Sequence, residues 1–211
     1  MVRGGAATAT EHSLVARFHE IPQDGIRIAG GKGTGLSRMA DAGLPVPPGF
    51  IVCTGSFEAF LANHEGVEFV RGLTGTLKGA GQSALEQTSA LLRDWILSRP
   101  VPQAIQEAIR RSYLELGANA LVAVRSSAVS EDGETASFAG QYETFLNLQG
   151  ADAVISHVRE CWASLFRPRA IFYRARNGSL HDLRMAVVVQ EMALASISGG
   201  AYLTVSWGDC K

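Results

Sequence analysis

The sequence predicts an α+β fold, in which a mixed sheet carries flanking helices. Two apolar, β-branched runs, residues 120–124 (ALVAV) and 185–192 (MAVVVQEM), are typical of buried strands. Apolar residues recur at helical spacing in residues 83–97, 101–116 and 151–176. The chain has 211 residues, of which 46% are apolar, so it is long enough to bury the core of one large domain or two small ones.

Composition argues against several classes of partner. The formal net charge is −1 and no basic run occurs, so neither a nucleic acid nor an anionic membrane is indicated. The three cysteines, Cys53, Cys161 and Cys210, have neither metal-ligand nor disulfide spacing, which favours a reducing, cytoplasmic location. Residues 1–13 carry no apolar signal region and no long apolar run follows. We therefore expect a flexible start over residues 1–19, no export and no membrane span.

A glycine-rich segment near the start has a layout that suits a phosphate. Residues 26–29 (IRIA) alternate like a short strand, residues 30–35 (GGKGTG) predict a loop, and a helix then runs to a C-cap at Gly43. Glycines let the backbone approach an anion, the helix N-terminus attracts it, and Lys32 adds a compact positive charge. The segment is not a Walker A loop, because Ile26 and Gly33 replace residues which that pattern requires. A purely structural turn is the alternative.

The stretch after residue 124 predicts a ligand-covering hairpin. The first strand delivers Arg125 to its end, and residues 126–140 are mostly small, hydroxylated or glycine, which suits a loop better than a core. Residues 144–148 (TFLNL) restore the period of two and predict the second strand. An arginine at the base of such a flap is suited to holding phosphates. A serine-rich surface hairpin without a ligand is the alternative.

The segment between residues 45 and 97 is interpreted as scaffold. Prolines at 45, 47 and 48 impose an extended link to a strand at residues 50–53, and Thr54 is expected to N-cap a helix. Residues 65–81 lose periodicity and predict a loop. The side chains expected on buried helix faces are those of Phe57, Phe60, Leu61, Leu91, Leu92, Trp95 and Ile96.

The second half of the chain adds a helical break and a basic cluster. Pro168 is expected to interrupt the helical segment 151–176. His157 and His181 have no partner at metal-ligand spacing and are expected to be structural or exposed. A solvated basic face is predicted from four arginines, Arg167, Arg169, Arg174 and Arg176.

Several of these segments together resemble a known family. They are residues 30–33 (GGKG), 42–50 (AGLPVPPGF), 124–128 (VRSSA) with the acids at 131 and 132, 136–141 (ASFAGQ) and 185–192. These segments resemble the N-terminal ATP-binding domain of the phosphoenolpyruvate synthase and pyruvate phosphate dikinase family. Rifamycin phosphotransferases are built on a similar domain. The resemblance covers residues 20–193 and implies an ATP-grasp-like N-terminal lobe whose second lobe is missing or truncated. The tail, residues 194–211, departs from the family pattern.

The resemblance also implies a ligand and the residues that contact it. The ligand would be ATP with Mg²⁺, whose phosphates Lys32 and Arg125 would bind. Gly140 and Thr144 would line the nucleotide site, and Gln190 with Glu191 and Met192 would border the adenine. Further loop contacts are expected from three serines, Ser126, Ser127 and Ser137. No residue of this chain is expected to be a metal ligand or the phosphate acceptor, because the family places those groups in the second lobe and in a separate histidine domain.

Three functional hypotheses follow. The first is the ATP-binding part of a dikinase or phosphotransferase that passes a phosphoryl group to a histidine on a separate domain and then to pyruvate or, alternatively, to a rifamycin-type antibiotic. The second is a nucleotide-binding or partner-binding module without turnover. The third is a remnant that keeps the fold and has lost the ligand. The first requires the second lobe and the histidine domain, in the same chain or in another one.

Overall fold

The structure, a computed structural model, describes residues 8–75, 77, 81–129, 143–176 and 183–193. Its strands are β1 (Val15–Arg17), β2 (Gly49–Val52), β3 (Leu121–Ala128), β4 (Thr144–Gln149) and β5 (Met185–Glu191). Its α-helices are α1 (Ile26–Asp41), α2 (Thr54–Asn63), α3 (Gly66–Gly75), α4 (Gln82–Leu97), α5 (Gln103–Leu116), α6 (Ala151–Ser164) and α7 (Pro168–Arg176). A short 3-10 helix, Phe18–Glu20, follows β1.

The five strands form one sheet in the order β1-β2-β5-β3-β4, and every pair in it is antiparallel. The α+β prediction is confirmed, but the expectation of a mixed sheet is wrong. The apolar run of β5 indicates burial on both faces of the sheet, and it carries no information on the direction of the neighbouring strands. β1 lies in the stretch expected to be flexible, and its residues pair with β2 at the sheet edge.

Helices cover the two faces of the sheet unequally. On one face, here called the core face, residues of α2 to α7 build a large buried cluster around Trp162, whose ring centre lies 5.4 Å from that of Phe57 and 5.2 Å from that of Phe60. The other face, here called the α1 face, has a smaller buried cluster to which α1 contributes Ile28, Ala29 and Leu36. Because the apolar cluster covers only part of this second face, polar side chains of the sheet remain there, and they form the candidate site.

Several predicted elements are confirmed. β2, α4, α5 and the β3–β4 hairpin lie within a few residues of the predicted positions, and α7 begins at Pro168, where the helical break was expected. Gly43 ends α1 with a φ of +75°, and two backbone bonds close the helix end, from the Gly43 N–H to Ala40 and from the Leu44 N–H to Met39. Cys53 and Cys161 are buried thiols.

The predicted strand at residues 26–29 is wrong, because these residues form the first turn of α1. The Ile28 and Ala29 N–H groups both donate to the Gly25 carbonyl at 2.9 Å. Four alternating residues fit one helical turn as well as a strand, and the burial of Ile28 and Ala29 against the sheet decides for the helix. The glycine segment that follows therefore bends a helix at Gly30 instead of linking a strand to a helix.

The loop predicted for residues 65–81 contains α3. Gly66 brings this helix close to α4, since a Cβ atom at Gly66 would lie 2.3 Å from the Trp95 ring, and Val70 is buried in the contact. Tertiary packing thus overrides the poor helix propensity of the glycines.

Two smaller expectations nearby are also wrong. Cys53, and not Thr54, occupies the N-cap of α2, and Leu91 lies on the exposed side of α4.

The four arginines of the second half do not form one solvated face. Arg174 is 1% exposed and its guanidinium donates to the Leu165 carbonyl, because α7 turns this side chain back towards α6. Arg167 forms an ion pair with Glu143, and Arg169 is exposed as predicted. The structural expectation for His157 is confirmed by its 2.7 Å hydrogen bond to the Ala153 carbonyl. His181 lies outside the described residues.

Candidate functional site

Side chains along β3 alternate between the two faces of the sheet. Val122 and Val124 belong to the buried cluster of the core face. Arg125 and Ser127 therefore point to the α1 face, where Ser127 contacts α1 directly. β3 continues to Ala128, so Arg125 lies within the strand and not at its end, where the sequence predicted it.

Arg125 and Thr144 lie next to each other on the α1 face. They are direct partners in the β3–β4 register, so their side chains project to the same side. Thr144 is exposed and Arg125 is half-buried. Within the described part of the chain, no hydrogen bond or ion pair involves the Arg125 guanidinium. A half-buried cation that has no counter-ion among the described residues is suited to binding an anion from solution.

Gln190 lies on the same face, further along β5. It pairs with Ala123 of β3, two residues from the Val188–Arg125 pair, a separation of about 7 Å along the strand. Its side-chain Nε2 donates to the Pro47 carbonyl at 3.2 Å, and the residue is 8% exposed. The proline-rich link before β2 therefore fixes the orientation of this amide.

Lys32 lies in α1, just after the bend at Gly30. A Cβ atom at residue 30 would lie 2.1 Å from the Ser127 carbonyl oxygen, so only glycine allows α1 to approach β3 this closely. The Lys32 side chain is half-buried. Burial and the charge of Glu160 raise the pKa of Cys161 in α6, and the positive charge of Lys32 partly opposes this rise. The bend also starts a new helical segment at residue 31, and a helix N-terminus attracts negative charge.

Two other residues predicted for the site, Ser126 and Glu191, project to the opposite side of the sheet. Ser126 points to the core face, is 1% exposed, and donates its hydroxyl to the Glu143 carbonyl at 3.0 Å. Glu191 pairs with Val122, so its side chain also lies on the core-face side. The Met192 N–H donates to the Leu121 carbonyl at 2.8 Å, just beyond β5. Ser137 and Gly140 lie outside the described residues.

Sequence reasoning missed four residues in and around this region. Pro47 was interpreted only as part of an extended link, although its carbonyl orients Gln190. Glu143, which directly precedes β4, forms an ion pair with Arg167, and no local sequence signal marks that contact. Leu121 and Leu146 are 38% and 56% exposed on the strands that carry Arg125 and Thr144. Once the register of the strands is known, the alternation of side chains along each strand predicts on which face these two leucines lie.

A cavity of about 240 Å³ lies beside Gln190. It is bounded by Pro47, Pro48 and Gly49, and by Phe18 and His19 of the 3-10 helix. Another cavity, of about 150 Å³, lies between α4 and α7 and is therefore remote from the α1 face.

The described residues offer no cage for a metal ion. They contain no group of three histidine, cysteine, aspartate or glutamate side chains that could hold one. Mg²⁺ prefers several carboxylate, phosphate and water oxygens in octahedral geometry, so the described side chains by themselves do not fit it. None of the described helices is long and apolar enough to cross a bilayer.

Comparison with known proteins identifies the family. Residues 26–206 match the AMP/ATP-binding domain of pyruvate phosphate dikinase. The chain is 44% identical, over 88% of its length, to a probable phosphoenolpyruvate synthase of Methanothermobacter thermautotrophicus. It is 38% identical over 92% of its length to a phosphoenolpyruvate synthase of Aeropyrum pernix, and 35% identical over 89% to a rifampicin phosphotransferase of Bacillus subtilis.

The matched regions are small parts of these relatives. They cover 28% of the Methanothermobacter protein, 24% of the Aeropyrum protein and 22% of the Bacillus protein, so the chain spans about a quarter of their length. The match agrees with the motifs around Lys32, Arg125 and Gln190, which carry the resemblance in the sequence. The chain belongs to the pyruvate phosphate dikinase family, as its AMP/ATP-binding domain.

Proposed function

We propose that the α1 face of the sheet is the ATP-binding surface of this chain. Lys32 and Arg125 bind the phosphates, Thr144 lines the site beside Arg125, and Gln190 borders the adenine. The observation that carries the proposal is the register of β3, β4 and β5, which supports placing three of these side chains on one face. Gly140 and Ser137 remain proposed contacts from the segment between β3 and β4.

The positions along the strands give the nucleotide a direction. Gln190 lies towards the Leu121 end of β3, and Ser127, which contacts α1 next to Lys32, lies towards the other end. Arg125 lies between them. The adenine therefore occupies the end near Gln190, and the phosphates extend past Arg125 towards Lys32. Exposed Leu121 and Leu146 offer apolar surface for the base and ribose.

The two cations are sufficient to give useful affinity. A hydrogen bond to a charged group contributes about 1.5–3 kcal/mol, and bonds from arginine or lysine to phosphate are of this kind. Each of the two side chains is therefore expected to change the dissociation constant by roughly 10- to 100-fold. Mg²⁺ would arrive bound to the ATP phosphates, because the described side chains do not form a site for it.

The full reaction would need more protein than this chain. We propose that it is the ATP-binding portion of an enzyme that phosphorylates a histidine on a separate domain and then pyruvate, as in a phosphoenolpyruvate synthase. Phosphoryl transfer requires the phosphates, the metal and the acceptor to be held in line, and a second lobe would supply the missing groups. A rifamycin-type antibiotic phosphotransferase is the second candidate, supported by the 35% identity to the rifampicin phosphotransferase. A nucleotide-binding module without turnover is the third.

Calorimetric titration of the folded chain with ATP and Mg²⁺ tests the proposal. We expect saturable binding that Lys32→Ala and Arg125→Ala each weaken by roughly 10- to 100-fold. Arg110→Ala is the matched control, because Arg110 is an arginine whose ion pair with Asp152 lies away from the α1 face. An equal loss in all three variants, or no binding by the unchanged chain at millimolar ATP, would contradict the assignment.

A further inference from the structure

Ser127 links the helix that carries Lys32 to the strand that carries Arg125. Its hydroxyl donates to the Ala29 carbonyl at 2.7 Å and accepts from the Gly33 N–H at 3.1 Å. In an uninterrupted helix these two backbone groups would bond to each other, because residues 29 and 33 are four apart. The side chain of a β3 serine is thus inserted into the hydrogen-bond ladder of α1, which explains the bend.

The backbone around the insertion is adapted to it. Gly30 has φ +65° and ψ 179°, a conformation that residues with a Cβ atom rarely adopt. The Gly30 carbonyl accepts a hydrogen bond from the Thr34 hydroxyl at 2.8 Å, so it remains paired despite the bend. Ser127 is fully buried, and its position inside the protein leaves its hydroxyl to α1 and not to a ligand. The bend is therefore a fixed feature of α1.

We propose that Ser127 is a positioning residue that sets the placement of Lys32 relative to Arg125, and so favours binding of the ATP polyphosphate. This inference rests on the proposed function. Lys32 directly precedes Gly33, the residue whose N–H is held by Ser127. Arg125 lies two residues before Ser127 on the same face, about 7 Å away along the strand. One buried hydroxyl thus fixes α1, which carries Lys32, against the strand that carries Arg125 before the ligand arrives, and this lowers the entropy cost of binding.

The first test needs no ligand. Ser127→Ala removes the hydroxyl, and Gly30 is expected to keep α1 bent, so that the Gly33 N–H loses its acceptor. We expect faster amide hydrogen exchange at Gly33 than the change in global stability accounts for. Ser89→Ala is the matched control, because Ser89 is also a buried serine with a 2.7 Å hydroxyl bond to a carbonyl, that of Phe166. Full protection of Gly33 in the Ser127→Ala variant would overturn the inference.

The second test uses ATP and AMP as probes of the two ends of the site. In Ser127→Ala, ATP affinity is expected to fall by roughly tenfold and AMP affinity by no more than about twofold. Because Lys32 is then misplaced, Lys32→Ala should cost at least about threefold less ATP affinity in the Ser127→Ala background than in the unchanged chain. Ser89→Ala should leave both affinities unchanged.

The outcomes separate this inference from the proposed function. Additive effects of Ser127→Ala and Lys32→Ala, or an equal loss for ATP and AMP, would overturn the positioning role while leaving ATP binding intact. Absence of ATP binding by the unchanged chain would overturn the proposed function, and with it the effect of Ser127 on affinity. The exchange rate at Gly33 would still decide whether the Ser127 hydroxyl holds α1.

Discussion

The two faces of the sheet differ in what covers them and in what they expose. The core face is packed by apolar side chains of α2 to α7, and Trp162 at its centre is fully buried. Among the described elements, α1 and the 3-10 helix contribute to a smaller apolar cluster on the α1 face, which also carries the polar side chains of Arg125, Thr144 and Gln190. Close packing stabilises the first face, whereas the second keeps an exposed Thr144 and a half-buried cation, Arg125.

On the proposed assignment, stability and nucleotide binding are carried by opposite sides of the same strands. The consecutive serines of β3 illustrate it. Ser126 closes the hairpin through the Glu143 carbonyl on one side, and Ser127 holds α1 on the other. Substitutions on the core face should therefore change the free energy of unfolding without changing nucleotide affinity, and substitutions of Lys32, Arg125 or Thr144 should mainly change the affinity.

The largest effect is expected from Trp162→Ala on the core face. The ring is fully buried and contacts two phenylalanine rings, so its removal should lower the free energy of unfolding by about 3–5 kcal/mol. Urea unfolding measures this loss, and ATP titration of the folded variant should give an unchanged dissociation constant. Leu146→Ala, at an exposed site of β4, is the control for stability and should stay within about 0.5 kcal/mol. A weakened ATP affinity in Trp162→Ala would break the separation of the two faces.

The next effect is expected at the bend of α1. Gly30→Ala places a Cβ atom 2.1 Å from the Ser127 oxygen at a positive φ, so it should destabilise the fold by at least about 1–3 kcal/mol. Gly35→Ala is the matched control in the same helix, where no atom lies within 4 Å of the added Cβ. Because alanine favours a helix interior, that variant should be more stable by about 0.5–1 kcal/mol. Thermal unfolding of both variants compares the two, and equal shifts would contradict the assigned contact.

A smaller effect on affinity is expected from Gln190→Ala. The residue is assigned to the adenine end, so the loss of about 0.5–1.5 kcal/mol should be the same for ATP, ADP and AMP. Gln149→Ala is the matched control, because that glutamine makes a similar bond from its Nε2 to the Asn119 carbonyl, at 3.3 Å. Titration with the three nucleotides measures both variants. A loss that grows with the number of phosphates would place Gln190 at the phosphate end and reverse the proposed direction.

The smallest effect concerns the two buried thiols, one on each face. Burial, with a contribution from Glu20, raises the pKa of Cys53 from 9.0 to about 12, and burial also raises the pKa of Cys161. Both thiols should therefore resist alkylation at pH 8, as peptide mapping by mass spectrometry would show. Rapid alkylation of Cys53 alone would indicate that the apolar cluster of the α1 face does not shield this thiol from solvent.

The same shifts predict a loss of stability in alkaline solution. The thiol form is favoured in the folded state, so this stabilisation is complete below pH 9.0 and declines as pH rises towards about 12 for Cys53. The slope is at most about 1.4 kcal/mol per pH unit for each thiol. Urea midpoints between pH 8 and 10 measure it, and Cys53→Ala should flatten the dependence.

Some features could be predicted from local sequence because local physics determines them. The apolar run of β5 and the helical spacing of α4 and α6 reflect which side chains must leave water, and both were found at the predicted positions. The glycine at 43 and the proline at 168 mark an end and a beginning because they restrict the backbone itself. The motifs around Lys32, Arg125 and Gln190 identified the family for the same reason, since they are contiguous in the chain.

Tertiary structure decided what depends on contacts between distant residues. Whether residues 26–29 become a strand or a helical turn depends on packing against the sheet, and Arg174 is buried only because α7 folds back on α6. Local sequence patterns were sufficient to identify the family and to predict the residue types of the candidate site. Only the register of antiparallel strands placed Arg125, Thr144 and Gln190 on one face, and only a contact across 94 residues, from Ser127 to Gly33, tied Lys32 to them. Local propensity predicts neither the strand register nor this contact, because both arise when separate segments of the chain pack together.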